Sequence, residues 1–282
     1  MTPFPPSADD VRRDVERALA EDVGSGDPTA SLINADAAAS ATVVTREAAI
    51  LCGRPWFDAC FHALDAHIEI EWQAEEGATV HGGQQLCALH GNARALLSAE
   101  RCALNFLQTL SATATATARH VAAVHGTRAV ILDTRKTLPG LRIAQKYAVR
   151  CGGGANHRIG LFDAILIKEN HIAAAGSLAA AVRAARAQHP RLMVETEVET
   201  FEELDQALAA GVDRIMLDEF SLDDMRKAVE HVAGRIPLEA SGGVGLDGLR
   251  AIAETGIDFI SIGALTKHVH AIDLSMRIRT GA

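Results

Sequence analysis

The chain of 282 residues is 48% hydrophobic and 22% charged, which excludes wholesale disorder and suits one barrel-sized domain or two smaller ones. Its formal net charge of −9 argues against a general binder of nucleic acid or of anionic membranes. The five cysteines form no Cys-x-x-Cys pair, no long apolar run is present and residues 1–6 show no secretory signal, so we expect a cytoplasmic protein without disulfides, structural zinc or a membrane span.

The first part of the chain is predicted to mix helices and strands. Apolar residues at helical spacing predict a helix over 11–21, capped by Asp9 or Asp10. Residues 41–89 are strand-like throughout, with strands over 41–50, 67–72 and 84–89. A long helix over 93–124 follows, and the threonines within it, which are poor helix formers, predict a break near Ser111.

After Gly126 the pattern changes to short apolar strands that alternate with helices, which is typical of βαβ units around a buried parallel sheet. Strands are predicted over 129–134, 163–168, 193–198, 214–220, 237–242 and 259–264. Helices are predicted over 141–150, 173–188, 201–210, 222–232 and 246–255. Six such units form either a small barrel or an open sheet. The glycine-rich motifs of dinucleotide-binding and P-loop folds are absent, which disfavours both.

Nearly every one of these strands ends in reactive or phosphate-binding residues, as in enzymes that place their active site at the carboxyl ends of barrel strands. They are Asp133 to Lys136, Lys168 and Glu169, Glu195 and Glu197, Asp218 and Glu219, Ser241 to Gly243, and Gly263 and Ala264. The glycine turns after the last two strands are suited to a phosphate group, although they can also simply reverse the chain.

A basic segment stands out in this acidic protein, because residues 128–171 hold eight basic and only three acidic side chains. Arginine binds carboxylates in bidentate fashion and lysine provides a compact positive charge, so a ligand with several negative charges is expected here. The glycine run 152–154 either exposes backbone N–H groups to an anion or forms a turn. Glu197 and Asp218 either hold sugar hydroxyls and magnesium or neutralise the basic segment as ion pairs.

Several of these segments together resemble the quinolinate phosphoribosyltransferase family, and the resemblance covers essentially the whole chain. The segments are DTRKTLPGLR (133–142), GGGANHR (152–158), LIKENH (166–171), LD (217–218), EASGG (239–243) and IGALT (262–266), with ER (100–101) and ALNF (103–106) on the long helix. The resemblance implies an α/β fold of the type II phosphoribosyltransferases, with an N-terminal open α/β sandwich over 1–115 and an incomplete, seven-stranded α/β barrel over 116–269. The barrel would carry the active site, and a tail over 270–282 would pack back on the sandwich. One strand beyond the six predicted above is therefore expected.

The reaction that the resemblance implies converts quinolinate and phosphoribosyl pyrophosphate into nicotinate mononucleotide, carbon dioxide and pyrophosphate, with magnesium. Family positions that act in catalysis match Lys136, Lys168, Glu197 and Asp218. Positions that bind quinolinate match Arg135, His157, Arg158 and Lys168, with Arg101 supplied by the second subunit of a homodimer. Other substrate-binding positions match Thr134, the turn of Ser241, Gly242 and Gly243, and the turn of Gly263, Ala264 and Leu265. Glu197 and Asp218 match the acids near the ribose hydroxyls and magnesium.

Three other functions remain open from the residues alone. A molybdenum-operon paralogue or a nicotinate phosphoribosyltransferase would share the architecture, but a substrate with one carboxylate needs fewer cations than are present. A Schiff-base aldolase would use Lys168 as its nucleophile. A non-catalytic sensor of quinolinate or phosphoribosyl pyrophosphate has no need to retain Glu197 and Asp218 together with Lys136.

Overall fold

The computed structural model describes residues 6–280, without the side chain of Thr280. Residues 1–5, which make up most of the segment in which no secretory signal is expected, lie outside that range. None of the helices described has the length and apolar character that crossing a bilayer requires. The chain divides into two units. One comprises the described residues up to Ala118, residues Thr137–Gly153 and the chain from Leu265 onward, and the other comprises Arg119–Lys136 and Gly154–Ala264.

Both helices and strands occur along the whole described chain. The helices are α1 (Ala8–Asp22), α2 (Arg54–Leu64), α3 (Ala93–Ala123), α4 (Arg142–Cys151), α5 (Glu169–Ala175), α6 (Leu178–Gln188), α7 (Phe201–Ala210), α8 (Leu222–Val232), α9 (Leu249–Ala253) and α10 (Ala264–Lys267). The strands are β1 (Ala38–Thr45), β2 (Ala49–Ile50), β3 (Glu69–Trp72), β4 (Thr79–Val80), β5 (Gln85–Asn92), β6 (Val130–Leu132), β7 (Ala164–Ile167), β8 (Met193–Val198), β9 (Arg214–Asp218), β10 (Leu238–Ser241), β11 (Phe259–Ser261) and β12 (Leu274–Thr280).

An antiparallel sheet organises the first unit. Its strand order is β12-β1-β5-β3, so the C-terminal strand pairs with the first strand of the chain, and Val43 lies opposite Met276. Strands β2 and β4 form a separate two-stranded sheet. The first helix begins at Ser7, whose Oγ accepts a hydrogen bond from the backbone N–H of Asp10 (3.1 Å), so the predicted caps Asp9 and Asp10 are wrong.

Helix α2 lies in the stretch that the sequence predicts to be strand-like, and that prediction is wrong for residues 54–64. The aromatic residues Trp56, Phe57 and Phe61, which favour strands in isolation, are fully buried on one face of this helix. Pro55 stands in its first turn, where a missing N–H group has no intrahelical partner to lose. Burial of one helical face therefore outweighs the local strand preference.

The long helix α3 runs without the predicted break at Ser111. Three of its threonines donate their hydroxyl protons to carbonyl groups one turn earlier: Thr113 to Thr109 (3.3 Å), Thr115 to Ser111 (2.6 Å) and Thr117 to Thr113 (2.8 Å). All three side chains are buried, so their polar groups are satisfied within the helix. Packing thus overrides their low helix propensity.

A parallel six-stranded sheet organises the second unit, in the order β7-β8-β9-β10-β11-β6. Each of the six predicted strands is present, although most end earlier than predicted, so that the polar residues after them lie in loops. Ala155 adds a single-residue parallel bridge to Leu132 beyond β6, with hydrogen bonds to Ile131 (2.8 Å) and Asp133 (3.2 Å). This bridge occupies the seventh position of the sheet, and its glycine-rich surroundings explain why no strand pattern marks it. The helix predicted over 173–188 is two helices, α5 and α6, separated at Gly176, which has a positive φ of 84°.

Candidate active site

Three charged side chains lie together at the carboxyl ends of neighbouring strands. Lys168 directly follows β7, Glu197 lies near the end of β8, and Asp218 ends β9. Lys168 forms an ion pair with Glu197. Burial raises the pKa of Asp218, and the charge of Glu197 and a hydrogen bond with it raise that pKa further, against the opposing charge of Lys168. The two carboxylates therefore repel one another and provide a site that a further positive charge would stabilise.

The glycine turn after β10 packs against Asp218. Ser241 pairs with Asp218 across the two strands. A β-carbon on Gly242, which has a φ of 93°, would lie 3.2 Å from Oδ1 of Asp218 and 3.3 Å from the backbone nitrogen of Glu219. Gly243 and Glu219 also have positive φ values, of 54° each. A left-handed glutamate is uncommon, so the backbone is constrained where these two loops approach each other.

The loops after β6 and β11 meet at Gly263. A β-carbon there would lie 2.8 Å from Cδ of Lys136 and 3.4 Å from Oγ1 of Thr134. Thr134 Oγ1 also accepts a hydrogen bond from the backbone N–H of Lys136 (3.0 Å). The absence of a side chain at position 263 therefore leaves room for Lys136. Ala264 begins the short helix α10, and the side chain of Leu265 is only 1% exposed, so a ligand can reach Leu265 only through its backbone.

Two arginines are close enough to affect each other electrostatically. Burial lowers the pKa of Arg158, and the charge of Arg135 lowers it further. Nη1 of Arg158 donates a hydrogen bond to the carbonyl of Ala164 (3.3 Å), which holds one arm of its guanidinium against β7. A pair of neighbouring guanidinium groups favours an anion, and a ligand with carboxylate groups fits this arrangement.

A second layer of charged residues is buried among the strands. His157, Glu195 and Glu239 are 8%, 0% and 0% exposed. Nε2 of His157 lies 2.9 Å from Oε2 of Glu195 and 3.7 Å from Oε1 of Glu239, and Arg214 donates a hydrogen bond to Glu239 (3.0 Å). Burial alone would lower the pKa of His157, but the hydrogen bond to Glu195 and the charges of both carboxylates raise it overall. Burial and the charge of Glu195 raise the pKa of Glu239 to about 7.

Glu195 was predicted from the sequence as a strand-end residue, whereas Arg214 and Glu239 were not predicted as parts of this layer. A signal for them is present in the printed sequence. Glu195 stands two residues before Glu197, and Glu239 stands two residues before Ser241, so each shares a strand face with a residue of the candidate site. A charged residue at that spacing inside an apolar strand indicates an inward-facing polar layer.

Two further clusters bring metal-ligating atoms together among the described residues. In the first, Cys52, Glu76 and Cys151 place ligand atoms within 4.8 Å of one another, but Glu76 already accepts hydrogen bonds from the first backbone N–H groups of α2 (2.7 and 3.2 Å). The second consists of His157, Glu195 and Glu239, and there the guanidinium of Arg214 supplies the positive charge. Glu197 and Asp218 are partly exposed at the ends of β8 and β9, and their carboxylate oxygens are the kind of ligand that Mg²⁺ prefers.

Other sequence predictions fall outside this group. Arg101 is exposed on α3, within the first unit.

The glycine run after α4 ends that helix. The backbone N–H of Gly152 donates to the carbonyl of Ala148 (3.0 Å) and that of Gly153 to the carbonyl of Arg150 (3.0 Å). A β-carbon on Gly152 would lie 2.3 Å from the carbonyl oxygen of Ala114. This favours the turn interpretation of the glycine run over a cradle for an anion.

Comparison with known proteins gives one consistent result. The sequence model of the quinolinate phosphoribosyl transferase N-terminal domain matches residues 27–111, and that of the C-terminal domain matches residues 113–277. The probable nicotinate-nucleotide pyrophosphorylase [carboxylating] of Bacillus subtilis is 42% identical over 259 residues, which cover 92% of this chain and 90% of that protein. The nicotinate-nucleotide pyrophosphorylase [carboxylating] of Mycobacterium leprae is 42% identical over 278 residues, which cover 95% and 97%.

A solved structure agrees with these relatives. The nicotinate-nucleotide pyrophosphorylase from Francisella tularensis superposes with a TM-score of 0.95 at 48% sequence identity, covering 98% of both chains. The two family-model matches together extend over most of the sequence. The chain therefore belongs to the quinolinate phosphoribosyltransferase family.

Proposed function

We propose that this protein transfers the phosphoribosyl group of phosphoribosyl pyrophosphate to quinolinate, with loss of carbon dioxide, and so forms nicotinate mononucleotide for NAD biosynthesis. The proposal is supported by the electrostatic proximity of Arg135 and Arg158 and by the group of Lys168, Glu197 and Asp218 at the ends of parallel strands, in a chain of this family. Such a site suits one substrate with two carboxylates and another with phosphate groups.

Quinolinate binds through its carboxylates in this proposal. Arg135 and Arg158 provide paired guanidinium groups, and Lys168 provides a compact charge. Arg101, supplied by the second subunit of a homodimer, completes the pocket. The active site belongs to the domain over 116–269.

Phosphoribosyl pyrophosphate binds at the adjoining loops. Lys136 lies near the pyrophosphate, and the turns of Ser241–Gly243 and Gly263–Leu265 receive the ribose phosphate on their backbone N–H groups. Glu197 and Asp218 hold the ribose hydroxyls and would also hold magnesium, since a cation would offset the burial and the charge of Glu197 that raise the pKa of Asp218. Magnesium, when bound, neutralises part of the pyrophosphate charge.

The chemistry needs no nucleophilic side chain. The pyridine nitrogen of quinolinate attacks the anomeric carbon as pyrophosphate leaves, and the transition state has oxocarbenium character. Positioning of the two substrates and electrostatic stabilisation by fixed charges supply the acceleration. Once the nitrogen is quaternary, the ring stabilises the carbanion that the departing 2-carboxylate leaves behind. In this proposal Lys168 contacts the substrate as a cation-bearing side chain beside Glu197, with which it forms an ion pair, and it forms no covalent intermediate.

The test is an assay of the purified protein with magnesium, phosphoribosyl pyrophosphate and either quinolinate or nicotinate. We expect nicotinate mononucleotide and carbon dioxide from quinolinate, and no product from nicotinate. Turnover of nicotinate alone would assign the protein to the non-carboxylating enzymes. Tight binding of quinolinate without pyrophosphate release would identify a sensor, and borohydride trapping of a carbonyl compound on Lys168 would identify an aldolase.

A further inference from the structure

Both ring nitrogens of His157 are in contact with other groups of the protein. Nδ1 accepts a hydrogen bond from the backbone N–H of Arg158 (2.8 Å), and Nε2 lies 2.9 Å from a carboxylate oxygen of Glu195. The side chain is 7% exposed and that of Glu195 is 1% exposed. A ring held in this way has no nitrogen directed toward an incoming carboxylate, although the resemblance assigns His157 to quinolinate binding.

The orientation of the ring also defines its protonation. Since Nδ1 acts as an acceptor, the proton of the neutral ring is on Nε2, where it faces Glu195. The neighbouring carboxylates favour a second proton, but Nδ1 can bind that proton only by giving up the hydrogen bond from Arg158. The geometry is therefore that of the neutral ring with its proton on Nε2.

The residues around His157 hold it from both sides. Its backbone N–H donates to Oδ1 of Asp133 (2.9 Å), and the other carboxylate oxygen of Asp133 accepts a hydrogen bond from Asn156 (2.6 Å). Behind the ring, Glu239 is fixed by Arg214, whose guanidinium also lies 4.1 Å from the ring centre of Phe259. Charged contacts are stronger in a buried, low-dielectric environment than in water, so these ion pairs and hydrogen bonds rigidify the site.

We propose that His157 is a positioning residue and not a ligand of quinolinate: Glu195, supported by Glu239 and Arg214, fixes the ring, and the ring fixes the backbone of Arg158 at the anion site. The proposal rests on the proposed function, because it assigns the guanidinium of Arg158 to a substrate carboxylate. It also makes Glu195 a positioning residue, distinct from Glu197 two residues later on the same strand face.

The first experiment compares two substitutions of His157 that differ in one property. His157→Asn retains an oxygen near the place of Nδ1, which can accept the hydrogen bond from Arg158, but carries no charge. His157→Leu removes that acceptor at similar volume. We expect the KM for quinolinate to rise less than about threefold in the asparagine variant and about tenfold or more in the leucine variant, with the KM for phosphoribosyl pyrophosphate unchanged in both. Equal losses in the two variants would mean that the ring binds the substrate directly, and would overturn the proposal.

The second experiment tests Glu195 through Arg158. Glu195→Gln keeps an oxygen that can accept from Nε2–H, and we expect its KM for quinolinate to stay within about threefold of the wild-type value. In equilibrium binding measured by calorimetry, which needs no turnover, Glu195→Leu should raise the Kd for quinolinate about tenfold, but by less than threefold when Arg158 is already alanine, because its effect passes through Arg158. An undiminished effect in the Arg158→Ala background would contradict the proposal. The glutamine variant keeps the test available if the leucine variant does not fold.

The third experiment separates this proposal from the proposed function. NMR spectra of protein labelled with [¹⁵N]histidine, with the His157 signals assigned by their loss in the asparagine variant, report the tautomer without any turnover. We expect the Nε2–H form in the free protein and no new hydrogen bond at either ring nitrogen when quinolinate is added without phosphoribosyl pyrophosphate. Ring signals that change tautomer on binding would overturn the positioning role. Failure of the wild-type protein to turn over quinolinate would refute only the proposed function. The spectrum of the free protein would still test whether the His157 ring has the tautomer and the contacts described here.

Discussion

Gly263 shows how one missing side chain shapes the candidate site. Its position after β11 is where a barrel enzyme commonly binds phosphate, and the sequence analysis selected it for that reason. The structure adds a second reason, because a β-carbon there would lie 2.8 Å from Cδ of Lys136. The glycine therefore determines where the lysine ammonium lies, in addition to exposing its own backbone.

Replacing Gly263 by alanine should displace Lys136 without unfolding the protein. The backbone there does not require positive φ, so alanine fits the conformation, and the flexible lysine side chain moves instead. We expect kcat/KM for phosphoribosyl pyrophosphate to fall about 10- to 100-fold, as a small misplacement of a binding charge does. The matched control is Gly245→Ala, because a β-carbon at Gly245 meets nothing within 4 Å. An equal loss in both variants would show that the effect is not specific to Lys136.

The buried carboxyl of Glu239 was not foreseen as part of the site, and it makes stability depend on pH. Its pKa is raised to about 7, mainly by burial and then by the charge of Glu195. The folded protein therefore holds this proton more tightly than the unfolded chain, whose glutamates have a pKa of about 4.3. The stability that this bound proton contributes is fully present below the pKa of the unfolded chain. It is lost as the pH rises toward 7.

We expect Glu239→Gln to remove this part of the pH dependence. A shift of this size corresponds to about 3 kcal/mol, lost by the wild-type protein between pH 4 and pH 8 but not by the glutamine variant. Urea unfolding at fixed protein concentration measures it across that range. Glu230→Gln, at an exposed position on α8, should behave as the wild-type protein does. If Glu239→Gln lost the same stability as the wild type, the proton would have to reside elsewhere in the layer.

At the scale of elements, local pattern predicted the regular strands and helices and failed where long-range contacts decide. The strand β8 and the helices α7 and α8 have the predicted bounds, because their apolar spacing and their Thr200 and Ser221 caps agree with their burial. Helix α2 and the bridge at Ala155 were missed. A single bridged residue is too short to show the alternation of buried and exposed side chains that predicts a strand. Only its pairing with β6 identifies it.

Helix α3 provides a test of why the predicted break is absent. Thr115 Oγ1 donates to Ser111 and accepts the backbone N–H of Ile50 (2.8 Å), so one hydroxyl satisfies both the helix and its neighbouring strand. Thr115→Val keeps the shape but removes the acceptor of that partly buried N–H. We expect a loss of about 1–3 kcal/mol in the free energy of unfolding. Chemical denaturation measures it, and Thr115→Ser, which keeps the hydroxyl, should lose clearly less; equal losses would assign the effect to packing.

For the whole molecule, the sequence predicted which residues surround the candidate site better than it predicted how they contact one another. Lys168, Glu197 and Asp218 could be grouped from strand order alone, because parallel strands place their carboxyl ends at one edge. The inward direction of His157 could not be predicted, since it depends on Glu195 and Glu239, which lie 38 and 82 residues further along the chain. Spacing within a strand indicates a shared face, whereas contacts across strands require the fold.

The proposed homodimer makes a prediction that only a whole assembly can satisfy. If Arg101 completes the site of the second subunit, then Arg101→Ala and Arg158→Ala each inactivate both sites of their own homodimers. In a mixed dimer, one site carries both substitutions and the other carries neither. Random exchange makes half of the dimers mixed, so the mixture should regain about one quarter of the wild-type activity.

Activity is assayed after subunit exchange. The control is a mixture of Arg135→Ala with Arg158→Ala. It should remain inactive, because those two residues belong to the same subunit's site. Formation of mixed dimers without recovered activity would mean that Arg101 does not reach the site of its partner.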